Sequence, residues 1–107
     1  MKRVEIKIAR EFSNTPGARY ISDGPFSGEE FREKFLERHF ANGAQVDKIV
    51  INLDGAIGYA TSFLEEAFGG LARKFGKEKC LERLEFVCNE DPLIIKEIKK
   101  YIEEANE

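Results

Sequence analysis

Ile49-Val50-Ile51-Asn52-Leu53 is the stretch that decides the fold. An apolar run this short and this rich in β-branched residues reads as a strand buried on both faces. Such a strand sits inside a sheet, parallel to a neighbour. Upstream, Val4, Ile6 and Ile8 alternate with Arg3, Glu5 and Lys7, the period-two pattern of a half-buried strand, before the turn-rich break Ser13-Asn14-Thr15-Pro16-Gly17. Arg19-Tyr20-Ile21 is expected to form a short second strand, pairing back on the first as a hairpin. Downstream, Leu84 to Cys88 reads as the remaining strand.

Helices fill the intervals. Ser27-Gly28-Glu29-Glu30 has the form of a capping box, in which the Ser27 hydroxyl accepts from the Glu30 amide and the Glu30 carboxylate reaches back to the Ser27 amide. Behind it, Phe31, Phe35, Leu36 and Phe40 recur on one helical face, with Glu29, Arg32, Glu33, Glu37 and Arg38 on the other. Asn42-Gly43 supplies the stop. From about Ser62 to Phe75, the residues Phe63, Leu64, Ala67, Phe68, Leu71, Ala72 and Phe75 make an unbroken apolar stripe. Asp91-Pro92 opens the last helix as an N-cap followed by a first-position proline. The alternation predicts an α/β fold, a four-stranded mixed sheet with three helices joined by right-handed crossovers, in a single domain spanning residues 1–107.

Charged residues make up 35% of the chain and the formal net charge is −3, so the basic stripe of a nucleic-acid-binding protein is missing and an acidic membrane surface has nothing to attract. No apolar stretch approaches the length of a membrane span, and Met1-Lys2-Arg3-Val4 runs straight into the first strand. A cytoplasmic location is the expectation, with Cys80 and Cys88, in or beside the last strand, as reduced and packed thiols. His39, the only histidine, sits at the edge of the first apolar helix face and reads as a packing residue. With no nucleophile beside a base and no convergent metal-ligand set, no catalytic residue, cofactor or metal site is expected, and the chain does not read as an enzyme. Arg10, Arg19 and Asp23 are candidates for a polar cluster near the hairpin.

The informative segment runs from Asn52 to Gly70, where a buried strand feeds a loop and then a helix, the position at which α/β proteins usually carry their sites. Ser62 and Glu65 form a second capping box, which leaves Thr61 as the more exposed hydroxyl. A phosphate on either would lie near the positive end of a helix dipole. On the outer face of this helix, Glu65, Glu66, Gly69, Gly70, Arg73 and Lys74 are expected to project from the core. Two glycines inside a helix cost roughly 1 kcal/mol each relative to alanine. They serve either a docking partner whose backbone comes close or tight packing against the first helix of the same chain. The candidate docking residues are Asp54, Tyr59, Glu65, Glu66, Gly69, Gly70 and Arg73.

Val50-Ile51-Asn52-Leu53-Asp54-Gly55-Ala56, ending in Thr61-Ser62-Phe63-Leu64, resembles the signature of STAS domains, the fold of anti-sigma factor antagonists. Pro16-Gly17-Ala18-Arg19, Gly24-Pro25-Phe26-Ser27-Gly28 and Ser62-Phe63-Leu64-Glu65-Glu66-Ala67-Phe68-Gly69 are similar to a prokaryotic STAS-like domain family of unknown function. The resemblance implies a STAS-like fold and a protein-binding, regulatory module. Its partner would be a kinase or ATPase with a GHKL-type ATP site, which phosphorylates the first loop hydroxyl, matched here by Thr61, with Ser62 following. The chain departs from the motif where Ala60 replaces the usual aspartate and Phe63 the usual glycine, and Glu65 and Glu66 lie one turn away, where they would repel an added phosphate. The alternative function is a small-ligand sensor, with the same loop and Gly24-Pro25 framing a pocket for a nucleotide or an anion.

Overall fold

Three strands make the sheet: β1 Arg3–Lys7, β2 Lys48–Asn52 and β3 Leu84–Val87, in the order β1-β2-β3 and parallel throughout. The computed structural model describes residues 2–41 and 46–105. β2 is central, as its composition requires, and Ile49 and Ile51 are fully buried. In register, Val4, Ile49 and Leu84 lie side by side, as do Ile6, Ile51 and Phe86. That row faces the core. The other face carries Arg3, Glu5 and Glu85, and an Arg3–Glu85 ion pair at 3.1 Å spans the central strand there.

After β1 comes a single helical turn, α1 Ile8–Glu11. Next, α2 begins as Gly28–Phe31, passes through a π turn over Arg32–Leu36 and ends in a 3-10 turn over Glu37–His39. Its expected stop at Asn42-Gly43 lies outside the described residues. α3 likewise starts as Thr61–Leu64, loosens into a π turn over Glu65–Gly69 and continues as Gly70–Phe75. α4 Lys77–Arg83 and α5 Leu93–Glu103 complete the chain. Two crossovers in the same direction across a parallel sheet put α2 and α3 on one face. Phe31, Phe63 and Phe68 join there with Ile98 and Ile102 of α5 in one core. Full burial of such side chains contributes about 1.5–3 kcal/mol each.

The sheet has three strands rather than the expected four, and it is parallel rather than mixed. Residues 19–21 form no strand; a short 3-10 turn over Ile21–Asp23 takes their place. The reason is where their carbonyls go. Ala18 and Arg19 accept from the Gly28 and Glu29 amides at 2.8 and 3.0 Å, so this segment satisfies the first turn of α2. The same loop also serves α3, since Pro16 accepts from the Ala60 amide at 3.4 Å and Gly17 accepts from the Ser62 hydroxyl at 3.0 Å.

Among the described residues there are five helices rather than three. α4 opens after Gly76 at φ 99 and buries only Cys80, so it offers too little apolar pattern to be read from sequence. Cys80 accordingly lies on a helix, and neither it nor Cys88 is in a disulfide. Among the described residues no helix is long and apolar enough to cross a membrane.

Candidate functional site

The loop between β2 and α3 is held at both ends. Asp54 opens it, accepting from the Glu90 amide at 3.0 Å and the Asn89 side chain at 3.2 Å, while the Asp54 amide donates to the Asn52 side chain. Those donors, the Glu90 amide foremost, hold the Asp54 carboxyl below its ordinary value. Gly55 takes φ 94, a conformation that suits glycine, and its amide donates to Glu90 Oε1 at 2.7 Å. Tyr59 is half-buried against Phe63, and its hydroxyl donates to the Leu53 carbonyl at 2.7 Å. Burial pushes that phenol up. Asp54 and Tyr59, both expected to meet a partner, thus also fasten the loop.

Between those anchors the loop presents apolar surface. Ile57 is 81% exposed although its amide is tied to the Asn14 carbonyl at 2.8 Å. Thr61 is exposed and Ser62 half-buried. The expected capping box at Ser62 is absent: Ala60 occupies the cap position without a side-chain bond, and the Ser62 hydroxyl donates instead to Gly17 of the first long loop. At Ser27 half of the box forms. Its hydroxyl accepts from the Glu30 amide at 3.0 Å, but the Glu30 carboxylate pairs with Lys34. Close by, Tyr20, Ile21 and Phe26 are all more than two-fifths exposed, and Phe26 holds φ 57, costly for a bulky side chain.

The outer face expected on α3 is covered from within. Glu66 is only 7% exposed, and Gly69 and Gly70 are buried. Glu66 binds the Arg32 guanidinium, which also donates to the Glu66 carbonyl at 3.0 Å inside the π turn, where the helical ladder is loosened. Arg32 therefore lies in the α2–α3 contact rather than on a solvated face. Glu65 is bracketed by Arg19 at 2.5 Å and Arg73 at 2.6 Å, and the Arg73 bond leads the effects that hold its carboxyl below the ordinary range. Arg19 therefore joins this network, while Asp23 accepts from the Tyr20 amide; the expected Arg10–Arg19–Asp23 cluster does not assemble. Three arginines also offset the negative charge that Glu65 and Glu66 would turn on a phosphate at Thr61.

The two glycines make room for this ionic layer. A Cβ on Gly69 would lie 2.6 Å from the Glu65 carboxylate and one on Gly70 2.5 Å from the Arg32 guanidinium, both movable side-chain ends. Backbone meets backbone at Gly28 instead, where a Cβ would stand 2.6 Å from the Phe63 carbonyl and 3.1 Å from the Ala67 amide. Gly28 carried no signal of its own beside Ser27, because its partner lies on another helix.

His39 is half-buried, and burial with neighbouring Arg38 and Lys2 lowers its pKa. Among the described residues no group of three or more His, Cys, Asp or Glu could hold a metal. A family model described as the STAS-like domain of unknown function (DUF4325) matches residues 27–93, which covers α2, β2, the loop, α3, α4 and β3. Comparison with curated proteins and with solved structures returned no match.

Proposed function

The chain belongs to the STAS-like domain family of unknown function, and from that premise we propose that it is a regulatory module that docks a GHKL-type kinase or ATPase through the 54–62 loop and the start of α3. The observation that carries this reading is Ile57, at 81% the most exposed large apolar side chain among the described residues, on a loop fastened at Asp54, Tyr59 and Ser62. A pre-fastened loop loses little conformational freedom on binding, which favours affinity. Tyr20, Ile21 and Phe26 are further exposed apolar side chains, on the segment that leads into α2. Phe26 holds its strained backbone while its ring packs edge-on against Phe12 at 5.5 Å, which leaves part of the ring exposed.

Thr61 is the hydroxyl through which the contact would be switched. It is exposed and takes part in no side-chain hydrogen bond among the described residues, whereas the Ser62 hydroxyl is engaged with Gly17. The partner binds the unmodified domain, and a phosphate on Thr61 adds charge to the rim of an apolar contact and weakens it. The test is a calorimetric titration with a purified GHKL-type kinase domain from the same source, comparing the natural domain with Ile57→Asp and Thr61→Glu. Loss of a fully buried isoleucine contact predicts an affinity roughly ten- to a hundredfold lower for Ile57→Asp. Unchanged affinity in both variants overturns the reading.

A further inference from the structure

A cleft of about 510 Å³ lies at the carboxyl ends of β1 and β2, lined by Lys7, Arg10, Asn14, Asn52, Asp54 and Glu90. Its size falls within the range of small-molecule sites, and crevices at the carboxyl ends of parallel strands are where open α/β sheets bind ligands. The loop apex at Ile57 and the Thr61 hydroxyl are not part of its lining.

The two walls differ in charge and in what they have left to offer. One wall carries Lys7 and Arg10, and among the described residues neither side chain donates a hydrogen bond or joins an ion pair. Arg3, Arg19, Arg32, Lys34, Arg73 and Lys74, by contrast, each hold a carboxylate. The facing wall carries Asp54 and Glu90, which are not drawn across to those cations. Asp54 is engaged by the Glu90 amide and the Asn89 side chain, and Glu90 by the Gly55 amide at 2.7 Å. Carboxylates fixed by donors behind them remain good acceptors towards the cleft. Asn14 adds an amide to the cationic side.

We propose that this cleft binds a small ligand bearing an oxyanion at one end and hydrogen-bond donors, hydroxyl or ammonium, at the other. The oxyanion sits between Lys7 and Arg10 in charge-assisted hydrogen bonds. The donors face Asp54 and Glu90, so that each end of the ligand meets side chains of complementary character. The cleft shares Asp54 with the base of the docking loop but neither Ile57 nor Thr61, so a change at Ile57 tests the docking surface without touching the cleft lining.

The experiment is an NMR titration of the isotope-labelled protein with glucose 6-phosphate, whose donors are hydroxyls, and with O-phosphoserine, whose donor is an ammonium; glucose serves as the neutral control. At least one of the two phosphates should give saturable shifts at the amides of Lys7, Asn14 and Gly55, and glucose none. Lys7→Gln combined with Arg10→Gln should weaken that binding at least tenfold with an unchanged melting temperature, and Ile57→Asp should leave it intact. The proposal is overturned if neither phosphate gives saturable shifts, if glucose matches them, if the shifts fall elsewhere, or if the double variant binds as before.

Discussion

The α2–α3 seam and the loop end of the sheet are built from similar material and finished in opposite ways. Both carry arginine, glutamate, glycine and aromatic residues. In the seam every such group is answered from within the chain: Arg32 by Glu66 and Glu37, Glu65 by Arg19 and Arg73, and Gly28 by the Phe63 backbone. At the loop end the fastening groups are answered, but Ile57, Thr61, Lys7 and Arg10 are left facing outward. Charge and glycine on a helix therefore mark packing as readily as docking. The discriminating quantity is what remains unsatisfied after the chain has folded.

The largest effect that can break this comparison is at Gly28. Gly28→Val forces a branched side chain against the Phe63 carbonyl, a backbone atom that cannot step aside. We expect a loss of about 3 kcal/mol, read as a melting temperature lower by roughly 10 °C or more. A variant that melts like the natural protein would mean that α2 and α3 do not meet there. Second in size is Glu66→Gln, which leaves Arg32 facing a neutral amide while Glu37 still holds it at 2.8 Å. Because that second carboxylate remains, the cost should be about 1–2 kcal/mol in a urea melt, below that of an orphaned buried charge.

Acid should sharpen the contrast further. Glu65 titrates below its ordinary value near 4.5 in the folded protein, led by its bond from Arg73 and opposed by burial. A depressed carboxylate contributes stability that is fully present above its unfolded pKa and lost as the pH falls through the folded one. The melting temperature should therefore drop as the pH is lowered beneath that ordinary value, and Glu65→Gln should flatten the drop. A variant with the same acid slope would remove Glu65 from the seam's ionic layer.

How much of this was legible beforehand follows the reach of each interaction. β2 was readable because burial on both faces writes itself into neighbouring residues, and Ser27 because its partner Glu30 lies within the same turn. The hairpin strand at residues 19–21 was misread because its carbonyls serve the amides of Gly28 and Glu29, which no local pattern reveals. Arg32 and Glu66 stand 34 residues apart, so each looked like surface charge on its own helix. In the candidate site, Asp54, Tyr59 and Thr61 stand out in the sequence from their place after a buried strand, and the structure sets them on the loop that follows β2 and at the start of α3. Lys7 and Arg10 do not stand out, because the cleft they line exists only once β1 lies beside β2. The motif resemblance was sound as to family, and the family model now spans α2 to β3.

The smallest expected change in stability carries the largest expected change in function, and it gives the most direct measurement. Ile57→Asp replaces an exposed side chain and should alter the melt by no more than about 0.5 kcal/mol. The decisive experiment sets Ile57→Asp beside Glu66→Gln, measuring for each the melting temperature and the affinity for the proposed GHKL-type partner. The account predicts that Ile57→Asp keeps its melt and loses affinity at least tenfold, while Glu66→Gln melts lower and, where folded, binds as the natural domain does. Affinity lost in Glu66→Gln and kept in Ile57→Asp would contradict it, and would move the docking surface to the seam.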